Sequence, residues 1–441
     1  MIRPRHAGRH ASRALPILIL VLAGGSPNAA TAQSMGTSLS GPTTADGASA
    51  FYNPAAMSAG RGTLLELDGG LVVVGLGYRP AASPPLSAAS TTALGPLLTL
   101  GGFTDALHPE WRLGLSVGVP STSGGSWARD NGAAPVTRYF LAAGTQFHIA
   151  AIPAVSWAPT EWIAIGLGAN LRFGSVTSDL DKDFGAQLNQ TYWTGVCGGD
   201  PTCVPELETP FPYAHPDLAA PVTLHADGVG IGAILGVLVR PIPELSFGVS
   251  LHSPVIVDGR GSLEVTYPEV LRQFVADTLP TAVLPELSAN IDVALDAPLF
   301  FVAGVSARPD EMVAIAANYQ FEHLSSQPNF YLYISEATSE SIVDSVKPQA
   351  YLDRHRAFLQ VAILPIPILR IALHGVYQSN TVPENVVAAN SIDFHRVEIG
   401  LALQWQIVDE LSLLVQYSHL FLIDRDVQTS LHRPLTQPSL A

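Results

Sequence analysis

Lysine is nearly absent from this chain: among 441 residues it occurs only at Lys182 and Lys347. All charged residues together make up 13% of the sequence, too few for the usual solvated surface of a soluble domain. Also missing is any run of about 18 consecutive apolar residues, which excludes a membrane-spanning helix. Yet the mean hydropathy is positive, at +0.28. A chain that is apolar on average without an apolar run points to strands with one lipid-facing side. There an arginine or lysine near the bilayer midplane costs about 2 to 4 kcal/mol.

Other absences narrow the function. The sequence has no H-E-x-x-H pattern, and no Lys-Ser or Lys-Thr follows the glycine row Gly228, Gly230, Gly232 and Gly236, so neither a zincin site nor a phosphate loop is present. Those glycines fall in an alternating strand, where an inward-facing glycine makes room for a plug or ligand. His252, His374 and His419 each sit singly on strands, as hydrogen-bonding groups rather than ligands. No catalytic constellation appears, and the residues call for no cofactor and no metal. The net charge of −15 speaks against a nucleic acid partner.

Only two cysteines occur, Cys197 and Cys203, inside a Gly-, Pro-, Asp- and Thr-rich stretch from about 176 to 222 that reads as the longest external loop. Two thiols with five residues between them are too few for a metal site, even with His215 and His225 nearby. A disulfide closing the small loop suits an oxidising compartment, with free thiols as the alternative.

What the chain does contain is a repeated punctuation. Strand-like runs meet short turns at HPEW (108–111), APTEW (158–162), PIPEL (241–245), RPDEM (308–312), LPIPIL (364–369) and QIVDEL (406–411). Proline cannot donate to a sheet ladder, so Pro beside a carboxylate ends one strand and the large apolar residue that follows opens the next. The strands leaving these turns alternate with period two: Ile163, Ile165, Leu167, Ala169, Leu171 and Phe173 face one way, against Ala164, Gly166, Gly168, Asn170 and Arg172. Long stretches separate successive turns, enough for two strands and a long loop at the far end. Short turns at one end and long loops at the other predict an all-β fold, a transmembrane antiparallel β-barrel in a bacterial outer membrane.

Six hairpins give twelve strands, and a thirteenth is expected over Thr63 to Tyr78. An even-stranded barrel of about 14 needs one more, either after residue 425 or hidden around Leu287 to Leu295. The strand Leu411, Leu413, Val415, Tyr417, Phe421 is followed by an irregular tail, 426–441, with two prolines and no alternation.

The beginning of the chain reads as an address. Arg3, Arg5, Arg9 and Arg13 precede an apolar stretch from Ala14 to Ala23 and an A-x-A site at Ala30-Thr31-Ala32, which marks 1–32 as a signal peptide. A short buried helix is the competing reading. Cleavage would remove four arginines and no acid, leaving the mature chain more negative still.

Between this address and the barrel (63–425) lies 33–62, too rich in Gly, Ser, Thr and Ala for a lipid-facing strand. It carries Phe51, Tyr52 and Met57, for which a disordered tail has little use, so it is expected to fold inside the lumen as a hatch. Here Ala45-Asp46-Gly47-Ala48-Ser49-Ala50-Phe51-Tyr52-Asn53-Pro54-Ala55 resembles the hatch of the FadL/TodX family of outer-membrane long-chain fatty acid and hydrocarbon transporters. VGVPSTSGGSW (117–127) followed by a strand from Thr137, and APTEWIAIGLGANLRF, resemble that family's middle region.

The resemblance covers about residues 33–425 and implies a fourteen-stranded barrel closed by its hatch. It also implies passive passage of hydrophobic compounds such as fatty acids or hydrocarbons. They would be captured among external loops and passed through a hatch-gated site, leaving in family members by a sideways gap. Asp46, Phe51, Tyr52, Asn53, Pro54, Ala55 and Met57 are the hatch residues this assigns, with a structural turn as the alternative for Asn53 and Pro54. Phe51, Tyr52 and Met57 either line the pocket or pack the hatch on the wall. Arg112, Arg172 and Arg370, on the inward-facing set, are candidate partners for a ligand carboxylate. Outer-membrane lipid, lipopolysaccharide and the barrel assembly machinery are the expected macromolecular partners. A scaffold, secretion or attachment role, or a nonspecific porin, would use the same pattern.

Overall fold

The computed structural model describes residues 35–78, 89–127, 136–139, 141–185, 218–278, 287–327, 329–338, 345–348, 350–387, 391 and 393–427. The expected signal peptide, Cys197, Cys203 and most of the tail lie outside them. The described residues form one large antiparallel sheet of seventeen segments.

The first six are long and uninterrupted: β1 (Thr63–Tyr78), β2 (Ala89–Thr104), β3 (Trp111–Ser126), β4 (Ala143–Trp157), β5 (Ile163–Asp183) and β6 (Ala219–Ile242). The segment Val136–Tyr139 is a 3-10 turn, so β4 begins at Ala143 rather than at Thr137. Next come β7 (Leu245–His252), β8 (Asp258–Val265), β9 (Leu287–Ala294), β10 (Phe300–Ala307), β11 (Val313–Glu322), β12 (Asn329–Ala337), β13 (Ser345–Pro348) and β14 (Arg354–Ile366). The series closes with β15 (Leu369–Gln378), β16 (Arg396–Val408) and β17 (Leu411–Leu422).

Eight of these segments combine in pairs. The lower part of β6 pairs with β7 and its upper part with β8, while β7 pairs with β10 and β8 with β9. In the same way β11 and β12, and β13 and β14, are successive pieces of one strand. The seventeen segments therefore make thirteen wall strands among the described residues. Leu287–Ala294 is a strand, one of the two places where a further one was expected, but it extends β10 and adds no wall position.

All six turns of the sequence join neighbouring strands at one end of the wall. The tightest leave only Pro243-Glu244, Pro367-Ile368 and Asp409-Glu410 between paired residues. At the other end, β1 and β17 are brought together around one apolar cluster, against which Val72, Tyr78, Leu420 and Leu422 all pack.

Alternation decides which side faces what. On β1, Leu65 and Leu67 are 78% and 70% exposed, while Val74 and Leu76 are buried. Leu167 on β5, Leu373 on β15 and Val415 on β17 belong to the same outward set. An apolar face this extensive on a single chain is unstable against water and stable against lipid. The protein is a membrane-spanning β-barrel, and no described helix is long and apolar enough to cross a membrane.

Candidate functional site: the hatch and the lumen above it

The small residues of 35–62, the segment expected to be a hatch and called so below, let it fold on hydrogen bonds rather than on regular secondary structure. Asp46 Oδ1 accepts from the Ala48 amide at 2.9 Å and from Ser49 Oγ at 3.2 Å, which starts the single-turn helix α1 (Ser49–Tyr52). Asn53 then turns extended and caps a 3-10 helix over Pro54–Ala59, with Pro54 in the first position, where its missing N–H costs nothing.

Asn53 is fully buried and fully used. Its Nδ2 donates to Pro42 O at 2.8 Å and to Val237 O of β6 at 3.0 Å, while its Oδ1 accepts from the Ala55 amide at 3.0 Å. One side chain thus ties two parts of the hatch to the wall.

The wall is shaped to receive this segment. A Cβ on Gly236 would stand 2.0 Å from Asn53 Oδ1, one on Gly166 2.2 Å from the Ala55 amide nitrogen, and one on Gly101 1.8 Å from Gly47 O. No other residue fits where two backbones come this close. Gly228, Gly230 and Gly232 instead face Ser253 to Gly259, between and at the start of the two collinear strands β7 and β8.

Wall serines complete the seat. Ser116 Oγ donates to Gly47 O at 2.6 Å, and Ser250 Oγ donates to Tyr52 O. Gly47 in turn donates its amide to Glu66 Oε2 of β1 at 2.7 Å, and Ser38 donates to Gln416 Oε1 of β17 at 3.0 Å from its amide and 2.9 Å from its hydroxyl. The hatch therefore bridges the first and last strands of the sheet. Burial, and then the nearby Glu66 carboxylate, push the Asp46 carboxyl up to about 7.

Phe51, Tyr52 and Met57 are buried against the wall. Phe51 stacks on Phe300 of β10 at 5.9 Å and meets the edge of His252 of β7 at 5.3 Å. A Cβ on Gly114 would stand 2.2 Å from Met57 Sδ.

The three sequence-selected arginines lie apart. Arg112 sits at the turn end, donating to Gly60 O at 3.3 Å from two nitrogens and to Pro109 O at 2.7 Å, with Asp105 at 3.5 Å, so it holds the chain where it leaves 35–62 for β1. Arg370 is also near the turn end, four residues after Ile366 and paired across to Gln404. Arg172 is buried in the lumen on β5, beside His148 and His252 and within electrostatic reach of Glu322.

Sequence reasoning missed a second group, on β11 and β14–β17. Arg354 Nη1 donates to Glu322 Oε2 at 2.9 Å with both side chains buried, Arg356 donates to Gln320 Oε1 at 3.4 Å, and Arg396 donates to Gln378 Oε1. His374 Nε2 meets Ser418 Oγ at 3.1 Å and Glu398 Oε1 at 3.4 Å. Arg354 and Arg356 lie within electrostatic reach of Arg396, and Arg356 within reach of Tyr52 in the hatch. The signal was in the alternation: Arg354 and Arg356 flank outward His355, and Arg396 and Glu398 flank outward Val397. Among the described residues, buried His148 Nδ1, Asn170 Oδ1, His252 Nδ1 and His374 Nδ1 have no hydrogen-bond partner, leaving polar atoms in the lumen for a ligand or water to meet.

Toward the loop end the lining becomes apolar. Val176 and Leu180 of β5, Val222 and Leu224 of β6, Leu263 of β8 and Ile291 of β9 share one buried cluster with Leu271 of the helix α2 (Glu269–Thr278). From the loops inward, the order is an apolar cluster, a polar tier rich in arginine, and the seated hatch.

No family model matches the chain, and no curated protein does. Solved structures do. A Pseudomonas aeruginosa FadL homologue superposes with a TM-score of 0.72 at 15% identity, covering 93% of this chain and 94% of that one. The Pseudomonas putida toluene transporter TodX gives 0.62 at 14% identity, over 89% and 94%. The monoaromatic hydrocarbon channel CymD gives 0.59 at 15% identity, over 92% and 94%. The likeness spans nearly all of each chain, and the protein has the FadL/TodX barrel fold.

Proposed function

We propose that this barrel carries hydrophobic small molecules passively across the outer membrane, from the apolar cluster at the loop end to a site gated by the hatch. The observation that carries this reading is the seat of the hatch: Asn53, Gly101, Gly166 and Gly236 hold a plug in the lumen by close contacts and a few hydrogen bonds. A plug held in this way blocks water-filled passage, which counts against a nonspecific porin, while small movements can still release it. An apolar lining stabilises a greasy molecule by roughly 25 cal/mol per Å² buried, which a polar external layer cannot offer.

The arginine tier extends the reading to the ligand's head. Arg172, Arg354, Arg356 and Arg396 face Glu322, Glu398 and Asp393 around the lumen, and Arg356 lies within electrostatic reach of Tyr52. This suits an apolar ligand that ends in a carboxylate, such as a long-chain fatty acid, better than a neutral hydrocarbon. For exit, the backbone ladder between β2 and β3 runs only from Thr99–Gly118 to Thr104–Leu113. It stops where Gly36 donates to Thr99 Oγ1 and where Met35 lies beside Gly118, so hatch movement and sideways release would be coupled at that point.

Reconstituted vesicles test the proposal. They should take up labelled oleate while excluding a small sugar. Sugar entry at porin rates would overturn the plugged reading, and failure to bind oleate or toluene would favour a scaffold role.

A further inference from the structure

The outer surface carries a feature that passage through the lumen does not use. On the outward face of five neighbouring strands, at the loop ends of β15–β17 and where β11 and β14 give way to β12 and β13, tyrosine and histidine form couples. Tyr319 Oη of β11 lies 2.7 Å from His355 Nδ1 of β14, and Tyr377 Oη of β15 lies 2.9 Å from His395 Nδ1, just before β16. On β17, Tyr417 Oη lies 3.4 Å from His419 Nδ1.

The register sets them side by side: Tyr319 pairs with Ala357, Ala357 with Tyr377, Tyr377 with Val397, and His419 with Ile399. The result is a continuous row around this part of the barrel.

Three observations give the row a partner. First, it continues the lipid-facing band: Leu359, Leu373, Ile399 and Val415, all exposed on the same strands, stand between it and the turn end. Its occupant must therefore be apolar below and polar at the level of the row.

Second, among the described side chains the outward positions of β11 and β14–β17 hold no lysine or arginine; Arg354, Arg356 and Arg396 point inward. The imidazoles are the only groups in the row able to become cations; of the carboxylates beside it in sequence, Asp353 is engaged by His323 at 3.1 Å and by the Ser325 amide at 3.0 Å, and Asp424 follows Ile423, whose amide donates to His395 O at 2.9 Å.

Third, the opposite rim is built differently. Trp111 and Trp157 stack at 6.0 Å at the turn end, where Trp162 and Trp405 are also exposed. Tryptophan anchors either interface equally well. A Tyr–His couple adds something tryptophan lacks: when the tyrosine hydroxyl donates to Nδ1, the Nε2–H is fixed outward as a donor, and a protonated ring donates from both nitrogens.

We infer that the row Tyr319–His355, Tyr377–His395 and Tyr417–His419 is a docking surface for the phosphate groups of an outer-leaflet phosphoglycolipid, whose acyl chains lie on the apolar band below. This rests on the outer-membrane reading above.

The test compares the whole barrel with the triple variant His355→Phe, His395→Phe, His419→Phe, which keeps the aromatic surface. Both are purified in mild detergent and offered bisphosphorylated lipid A or its dephosphorylated form, with bound lipid counted by native mass spectrometry. Charge-assisted contacts of this kind should make the variant retain about tenfold less of the bisphosphorylated lipid, with the dephosphorylated form unchanged.

Equal retention by the two proteins overturns the proposal, as does a wild type indifferent to the phosphates. Displacement of the lipid by millimolar inorganic phosphate alone would reduce the row to an ion site and overturn it too. If the triple variant fails to fold, Tyr377→Phe, which frees only the His395 ring, should lower retention by a smaller factor, and no change would overturn the proposal. A barrel dimer lost in the variant with lipid retention unaltered would assign the row to a second copy of this chain instead. Oleate uptake measured on the same samples separates the two readings: lipid lost with uptake kept leaves transport intact, and no uptake by either protein defeats transport without touching the lipid result.

Discussion

Asn53 Oδ1 stands 2.0 Å from the point where a side chain on Gly236 would begin. The asparagine cannot move aside, because the same side chain holds Pro42 O, Val237 O and the Ala55 amide. Gly236→Ala therefore forces the hatch away from β6, at an overpacking cost of about 1 to 3 kcal/mol. The barrel should keep its heat-modifiable mobility on gels while vesicles containing it begin to leak a small sugar. A variant that stays sealed would mean that the seat is looser than this contact requires.

Asn53 itself should be the more damaging position. Asn53→Ala strands two carbonyls and removes a helix cap, each lost partner costing about 1 to 3 kcal/mol in a buried setting. Asn53→Asp is expected to be worse, since it sets a carboxylate against Pro42 O and Val237 O and has no donor for either. Limited proteolysis of 35–62 in intact barrels measures this, with the order of protection wild type, then Asn53→Ala, then Asn53→Asp.

The contrast between Gly236 and Arg354 marks how far the sequence could be read. Period-two alternation and six proline or acidic turns are local signals, so β1 over Thr63–Tyr78 and the six turn-end hairpins are visible in the sequence. Gly236 was visible as an inward glycine, but its partner Asn53 is 183 residues away, and only the folded chain pairs them. Gly228, Gly230 and Gly232 carry the same local signal and serve the β7–β8 junction instead. Arg354, Arg356 and Arg396 lie at strand ends beside loops, where alternation has just begun and inward residues look like loop charges. Arg112 and Arg370 share the inward parity but lie near the turn end, and height along a barrel depends on register between strands rather than on any one of them.

The hatch should loosen as pH rises. The Asp46 carboxyl is raised by burial and by Glu66 from an ordinary 3.8 to about 7 in the folded hatch. Between those values the seated form holds a proton that the released form gives up, so seating weakens progressively from about pH 4 to about pH 7 and is constant above. Hydrogen exchange of the Ala48 and Ser49 amides should therefore be slower at pH 4.5 than at pH 8 after correction for intrinsic rates. Asp46→Asn, which can still accept from the Ala48 amide, should flatten that difference. A pH-independent wild type would contradict the burial of Asp46 beside Glu66.

The arginine tier should separate ligands by charge. Arg356 shares a 3.4 Å hydrogen bond with Gln320, and Glu398, which it also reaches electrostatically, keeps its contact with His374 at 3.4 Å, so Arg356→Gln removes positive charge near Tyr52 and still leaves that carboxylate a partner. Arg354→Gln is a different experiment: it leaves Glu322 buried without its 2.9 Å partner, a loss of about 3 to 5 kcal/mol that would obscure any effect on ligand. With Arg356→Gln, binding of oleate should fall about tenfold, the loss of one charged hydrogen bond, while toluene binding stays within error. Competition against a radiolabelled fatty acid is the suitable measurement. Equal losses for both ligands would mean that the tier shapes the lumen and does not recognise the carboxylate. No loss for either would place the head of the ligand elsewhere, with Arg172 beside His148 and His252 as the next position to substitute.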